Sequence, residues 1–87
     1  DKLDHFNLLD LHITISEDVD EVMNKIEKLL SENEVDIKQM KKLEPEEAET
    51  DAIVLKIIGQ YNKQQFNKNM LLKNISLLDN VIEVTEQ

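Results

Sequence analysis

From Leu9 to Ser16 the chain alternates without a fault. Leu9, Leu11, Ile13 and Ile15 are aliphatic, while Asp10, His12, Thr14 and Ser16 are polar. In an extended strand successive side chains point to opposite faces, so this period of two gathers the four aliphatic residues on one side. A helix would scatter the same residues around its circumference. The stretch therefore predicts a strand with one buried and one polar face, beginning as early as Phe6. The rest of the chain must supply what covers the apolar face.

The next segment has the spacing to do so. Asp18 with Glu21 three residues on reads as a capping box, with Ser16 as a competing cap. Val19, Val22, Met23, Ile26 and Leu30 then recur at helical spacing, which predicts a helix that fades around Glu32-Asn33. In the second strand, Val35, Ile37 and Gln39 alternate with Asp36 and Lys38. Met40 and Leu43 break the phase, as a bulged or edge strand would. Ala52 to Ile58 is apolar on nearly both faces, which suits a central strand, and Gly59 is expected to end it. A second helix is predicted over Lys63 to Leu78. Its buried stripe is Phe66, Met70 and Leu77, widened by Leu71, Ile75 and Leu78. Asp79-Asn80 makes a turn into a short final strand, Val81 to Thr85. Met23, Met40 and Met70 all read as packing residues.

The order is βαββαβ, an α+β pattern. Two split βαβ units with short, right-handed connections give a ferredoxin-like (ACT-like) sandwich, with a four-stranded antiparallel sheet and both helices on one face. Strands one and three become central. At 87 residues the natural reading is a single domain, residues 1–87. The 27 Leu, Ile and Val residues are too many for a disordered chain.

Charge and composition exclude several functions. The net charge is -9, and the ten basic residues are all lysine. Residues 1–51 carry 16 acids and 6 lysines, and residues 52–87 carry 3 acids and 4 lysines, so the negative charge belongs to the first part. Such a chain is poorly suited to a nucleic-acid backbone, and no nucleic-acid partner is expected. Without cysteine there is no disulfide framework, thiol nucleophile or cysteine zinc site. A single glycine cannot build a phosphate-binding loop.

Each candidate for chemistry has a plainer reading beside it. His12 lies on the polar face of the first strand, and no nucleophile or second base is apparent for it. It reads as a surface or interface histidine, as does His5. Glu44, Glu46, Glu47, Glu49 and Asp51 surround Pro45 and could hold magnesium or calcium weakly. They lack the spacing and the turn glycine of a built calcium loop, so a solvated loop is the simpler reading. No catalytic residue and no tightly held cofactor is expected. The outward sheet face should bring His12 and Thr14 beside Val54, Lys56 and Ile58. That face is partly apolar, and a homodimer through it or through a sheet edge is the expectation.

A βαββαβ chain of this length without catalytic residues resembles the ACT-like regulatory domains over nearly all of residues 6–86. In such domains an amino acid binds at a glycine-containing turn after the first strand, often Asp-Arg-x-Gly. The corresponding turn here is Ser16-Glu17-Asp18-Val19, a candidate ligand turn that has neither glycine nor arginine. Three stretches resemble the C-terminal domain of the MgtC/SapB family of bacterial membrane proteins. They are Leu9-Asp10-Leu11-His12-Ile13-Thr14-Ile15, Val35-Asp36-Ile37-Lys38-Gln39-Met40 and Leu77-Leu78-Asp79-Asn80-Val81-Ile82-Glu83-Val84. This resemblance implies a non-catalytic regulatory domain on the cytoplasmic side of the inner membrane, within a longer protein linked to magnesium homeostasis. It also implies a membrane-protein partner, and a domain that is soluble when isolated. The alternative it leaves is a small-molecule-sensing domain of an enzyme or regulator. A start at Asp1 fits excision from a longer membrane protein.

Overall fold

The computed structural model describes residues 6–43, 52–62 and 66–87. The acidic stretch 44–51 and His5 lie outside them. The elements follow the expected order: β1 (Phe6–Ile15), α1 (Val19–Glu32), β2 (Asp36–Leu43), β3 (Ile53–Asn62), α2 (Lys68–Ser76) and β4 (Val81–Glu86). The strands form one sheet in the order β2-β3-β1-β4, with every pairing antiparallel. β1 and β3 are central, as their apolar sequences demand, and the fold is the ferredoxin-like sandwich.

The core lies between one sheet face and the two helices. Leu9, Leu11, Ile13 and Ile15 of β1 stand beside Leu55 and Ile57 of β3. Val22, Ile26 and Leu30 of α1 and Leu71 and Ile75 of α2 cover them, and none of these is more than 2% exposed. Burying each such side chain stabilises the fold by about 1.5–3 kcal/mol, so this layer supplies most of the driving force.

Helix α1 does not start with a capping box. Asp18 is its N-cap residue, but its backbone is left-handed, with φ 54° and ψ 45°, and its side chain makes no cap hydrogen bond. A capping side chain needs an extended N-cap backbone, which this turn does not provide. Asn80 is also left-handed, with φ 71°. Its Nδ2 donates to Asp18 Oδ2 at 3.5 Å. Ser16 is not the cap either: its backbone N–H donates to the Asn80 carbonyl at 2.8 Å and its hydroxyl to the same oxygen at 3.3 Å. The β1–α1 and α2–β4 turns are thereby tied together. At its other end α1 closes with a Schellman motif. Val35 N–H donates to Leu30 O at 2.9 Å and Glu34 N–H to Ser31 O at 3.1 Å. Glu34 takes the left-handed position, φ 60°, where glycine is usual.

β2 is an edge strand with a bulge, as its broken phase foretold. Ile37 pairs with Gly59 and Gln39 with Ile58, which leaves Lys38 as the extra residue. The bulge restores Met40 to the core side, opposite Ile57.

Three further expectations are corrected. Gly59 does not end β3, which runs on to Asn62. Gly59 is buried in mid-strand because Val35 lies over it: a Cβ there would sit 2.7 Å from Val35 Cγ1. Helix α2 is shorter than its apolar stripe suggested. Asn67 caps it by accepting from Met70 N–H at 3.1 Å. Its stripe is also rotated. Leu71 and Ile75, an i,i+4 pair, are buried, whereas Met70 is 59% and Leu77 69% exposed. Met70 is therefore a surface residue, not a packing one.

Candidate functional site

The helices cover one sheet face and leave the other open. Pairing register fixes what stands on the open face, because directly opposed residues of neighbouring strands share a side. The central rung reads Lys41, Lys56, His12 and Thr85 across β2, β3, β1 and β4. One rung toward the end of β1 stand Leu43, Val54, Thr14 and Glu83. One rung the other way stand Gln39, Ile58 and Asp10. His12, Thr14, Val54, Lys56 and Ile58 are thus brought together as the alternation requires. Sequence reasoning missed Lys41 and Glu83, because bulges in β2 and β4 change which residues face outward. In β4 Thr14 pairs with Glu83 but Ile15 with Val81, so Ile82 bulges out between them. The phase break at Met40 was the signal for Lys41.

The charges on this face are unevenly arranged. Lys41 and Lys56 are directly opposed, and like charges so placed repel. The ion pairs among the described residues are made elsewhere. Lys38 meets Asp36 at 2.8 Å, Lys42 meets Asp20 at 3.1 Å, Lys25 meets Glu21 at 3.6 Å and Lys68 meets Glu86 at 2.9 Å. The hydrogen bond from Lys68 to Glu86, reinforced by that carboxylate's charge, raises the Lys68 pKa above the ordinary lysine value. On the open face Asp10 Oδ1 is buried and has no hydrogen-bond partner among the described residues. A buried, unpaired acceptor is unfavourable by about 1–3 kcal/mol. The face thus holds two cations and one carboxylate oxygen that no described residue satisfies, beside the partly buried apolar Val54 and Ile58. Such an array can bind, but it holds no arranged nucleophile and base.

No family model matches the sequence, and no curated protein matches it. Solved structures do. The chain is similar to the C-terminal domain of the MgtC protein from Mycobacterium tuberculosis, at 14% identity and a TM-score of 0.72, covering 92% of this chain and 84% of that one. It is also similar to the ACT domain from GTP pyrophosphokinase of Chlorobium tepidum, at 16% identity and a TM-score of 0.65, covering 94% of this chain and 99% of that one. The fold is ACT-like. A homoserine dehydrogenase from Thiobacillus denitrificans matches with a TM-score of 0.71 at 16% identity, but this chain spans 17% of that enzyme's length. At such identities the likeness is one of fold.

The ACT-like turn Ser16-Glu17-Asp18-Val19 is fully described. Its left-handed position, where the sequence offers no glycine, is taken by Asp18. Aspartate tolerates that backbone better than most residues. Its carboxylate occupies the turn and binds Asn80, while Glu17, Asp20 and Glu21 add negative charge around the start of α1. Among the described residues no three His, Asp or Glu side chains stand close enough to hold a metal. The candidates Glu44, Glu46, Glu47, Glu49 and Asp51 lie outside the described residues. Among the described residues no helix is long and apolar enough to cross a membrane.

Proposed function

We propose that this chain is a non-catalytic regulatory or protein-interaction domain of MgtC type. In this reading it belongs to a longer bacterial protein, on the cytoplasmic side of the inner membrane, whose work is linked to magnesium homeostasis. The observation that carries the reading is the likeness to the MgtC domain, at a TM-score of 0.72 over 92% of this chain and 84% of that one, against 0.65 for the GTP pyrophosphokinase ACT domain. The open sheet face supports it, since its unsatisfied charges and partly exposed aliphatic side chains suit a docking partner better than a reaction. The coding sequence upstream of Asp1 tests it. Several apolar stretches of about 20 residues are expected there. A soluble catalytic domain in that place would overturn the proposal.

A second reading, small-molecule sensing at Ser16–Val19, rests on the left-handed turn at the start of α1. The acidic residues around that turn oppose an amino-acid carboxylate by simple repulsion. Thermal unfolding with each of the twenty amino acids separates the two readings, because a ligand bound to the folded state raises the midpoint. A rise with one amino acid would favour sensing. The same measurement with magnesium and calcium tests cation binding by residues 44–51, with sodium chloride at matched ionic strength as the control.

A further inference from the structure

We infer that the open sheet face is a self-complementary docking surface for a second copy of this chain. This deepens the protein-interaction reading and rests on it. The face is electrically divided along the strands. In its three central rungs the cations Lys41 and Lys56, which no described residue pairs, stand on β2 and β3, while the carboxylates Asp10 and Glu83 stand on β1 and β4. Asp36, farther along β2, is already paired with Lys38 at 2.8 Å. A two-fold axis parallel to the strands, between β3 and β1, lays β3 of one copy over β1 of the other and β2 over β4. The cationic half of each copy then covers the anionic half of its partner. Lys56 lies one rung from the partner's Asp10, and Lys41 one rung from the partner's Glu83 in the opposite direction. A lysine side chain spans that offset. Two-fold contacts of this kind are made twice by the same residues, and sheets stack face to face about 10 Å apart.

This arrangement answers the exposed anomalies of the face. The opposed lysines gain counter-charges, the Asp10 carboxylate gains a cation beside it, and Val54 and Ile58 are removed from water. A purely acidic partner would satisfy the lysines but leave Asp10 unmatched. Four strands about 4.8 Å apart and about six residues long give a flat footprint of about 400 Å² per copy. That is below the 800 Å² or so per partner of a standard stable interface. The dimer is therefore weak and concentration-dependent, and it is sensitive to salt because paired charges orient it.

The test is sedimentation equilibrium of the 87-residue chain from about 10 µM to 1 mM, the range in which an interface of this size dissociates. The expected result is a monomer–dimer equilibrium that weakens with added salt. Lys56→Glu alone and Asp10→Lys alone are each expected to be monomeric, since each sets like charges against each other. Mixed in equal amounts they are expected to form a heterodimer. The carboxylate introduced in one variant then meets the ammonium introduced in the other, while the native pair forms at the second contact. Far-UV circular dichroism of each variant verifies the fold, and recovery on mixing shows that both retain it. A wild-type monomer throughout the range overturns the proposal. So does a dimer that both single variants form as well as wild type, which would place self-association at a sheet edge. Neither outcome touches the upstream-sequence test of the domain's context.

Discussion

The two faces of the sheet are made by alternate residues of the same strands, yet they are built to opposite standards. On the helix side Leu11, Ile13, Leu55 and Ile57 are fully buried, and α1 and α2 close over them. On the other side Asp10, His12, Val54, Lys56 and Ile58 are only partly buried, with charges that find no partner within the described residues. One face is finished by the chain itself. The other is covered by no described helix. If the proposed docking takes place there, stability and binding read from adjacent residues of one strand, and substitutions on the two faces should report on different properties.

Ile57 and Ile58 give the sharpest contrast. Ile57→Ala opens a cavity under the helices and is expected to destabilise the fold by about 2–5 kcal/mol in urea unfolding. Ile58→Ala, one residue on, should cost about 1 kcal/mol or less. Equal losses would mean that the open face is as tightly packed as the core. Gly59→Ala comes next, with an expected loss of about 1–3 kcal/mol from overpacking against Val35. Val35→Ala in the same chain should recover part of it, and a double-mutant cycle measures how much. Strictly additive effects would break the assignment of that contact.

Glu34→Gly works in the other direction. It relieves a left-handed backbone at the end of α1 and should stabilise by about 1 kcal/mol in thermal or chemical unfolding. A destabilised variant would show that the Glu34 side chain has a role its backbone does not reveal. The smallest effect is expected at the exposed Lys68–Glu86 pair. Its lysine pKa is raised in the folded state, so its contribution is fully present below the ordinary lysine pKa. It is lost as pH rises through the raised value. Wild type and Glu86→Gln should therefore differ slightly at neutral pH and low salt and converge in strong alkali. A gap that persists there would point to packing instead of charge.

Much of this was legible in the sequence because β1 obeys one period without interruption. Once its two faces were fixed, the alternation in β1 and the apolar run in β3 were enough to bring His12 and Thr14 beside Val54, Lys56 and Ile58, though not to set which residue opposes which. The failures share a cause. Parity is lost at each bulge, so the outward set of β2 and β4 could not be counted from their ends, and Lys41 and Glu83 went unseen. Around α2, five aliphatic residues and a methionine crowd the stretch from Met70 to Leu78, and periodicity does not choose among them. The Asn67 cap would have set the start, and Leu71 with Ile75 the stripe. Gly59 was read as a terminator because a glycine's local freedom is visible in sequence, while a valine lying over it from another part of the chain is not. The tie between Asp18 and Asn80 joins turns far apart in the chain, which no local pattern encodes.

The sheet order also governs how the domain can be made. β1 leaves the ribosome before the other three strands yet occupies a central place, flanked by β3 and β4. Its hydrogen-bonding edges stay open until β3 arrives, with Ile15 waiting for Ile53 and Phe6 for Asn62. The last strand then closes the second edge. Such long-range pairing slows folding and leaves unpaired strand edges exposed in the meantime. α1 is the one partner available early, since it follows β1 directly and carries Val22, Ile26 and Leu30 to its apolar face. The β1–α1 hairpin is thus the natural shelter for the nascent chain, and substitutions that weaken α1 should lower soluble yield before they lower the stability of the finished fold.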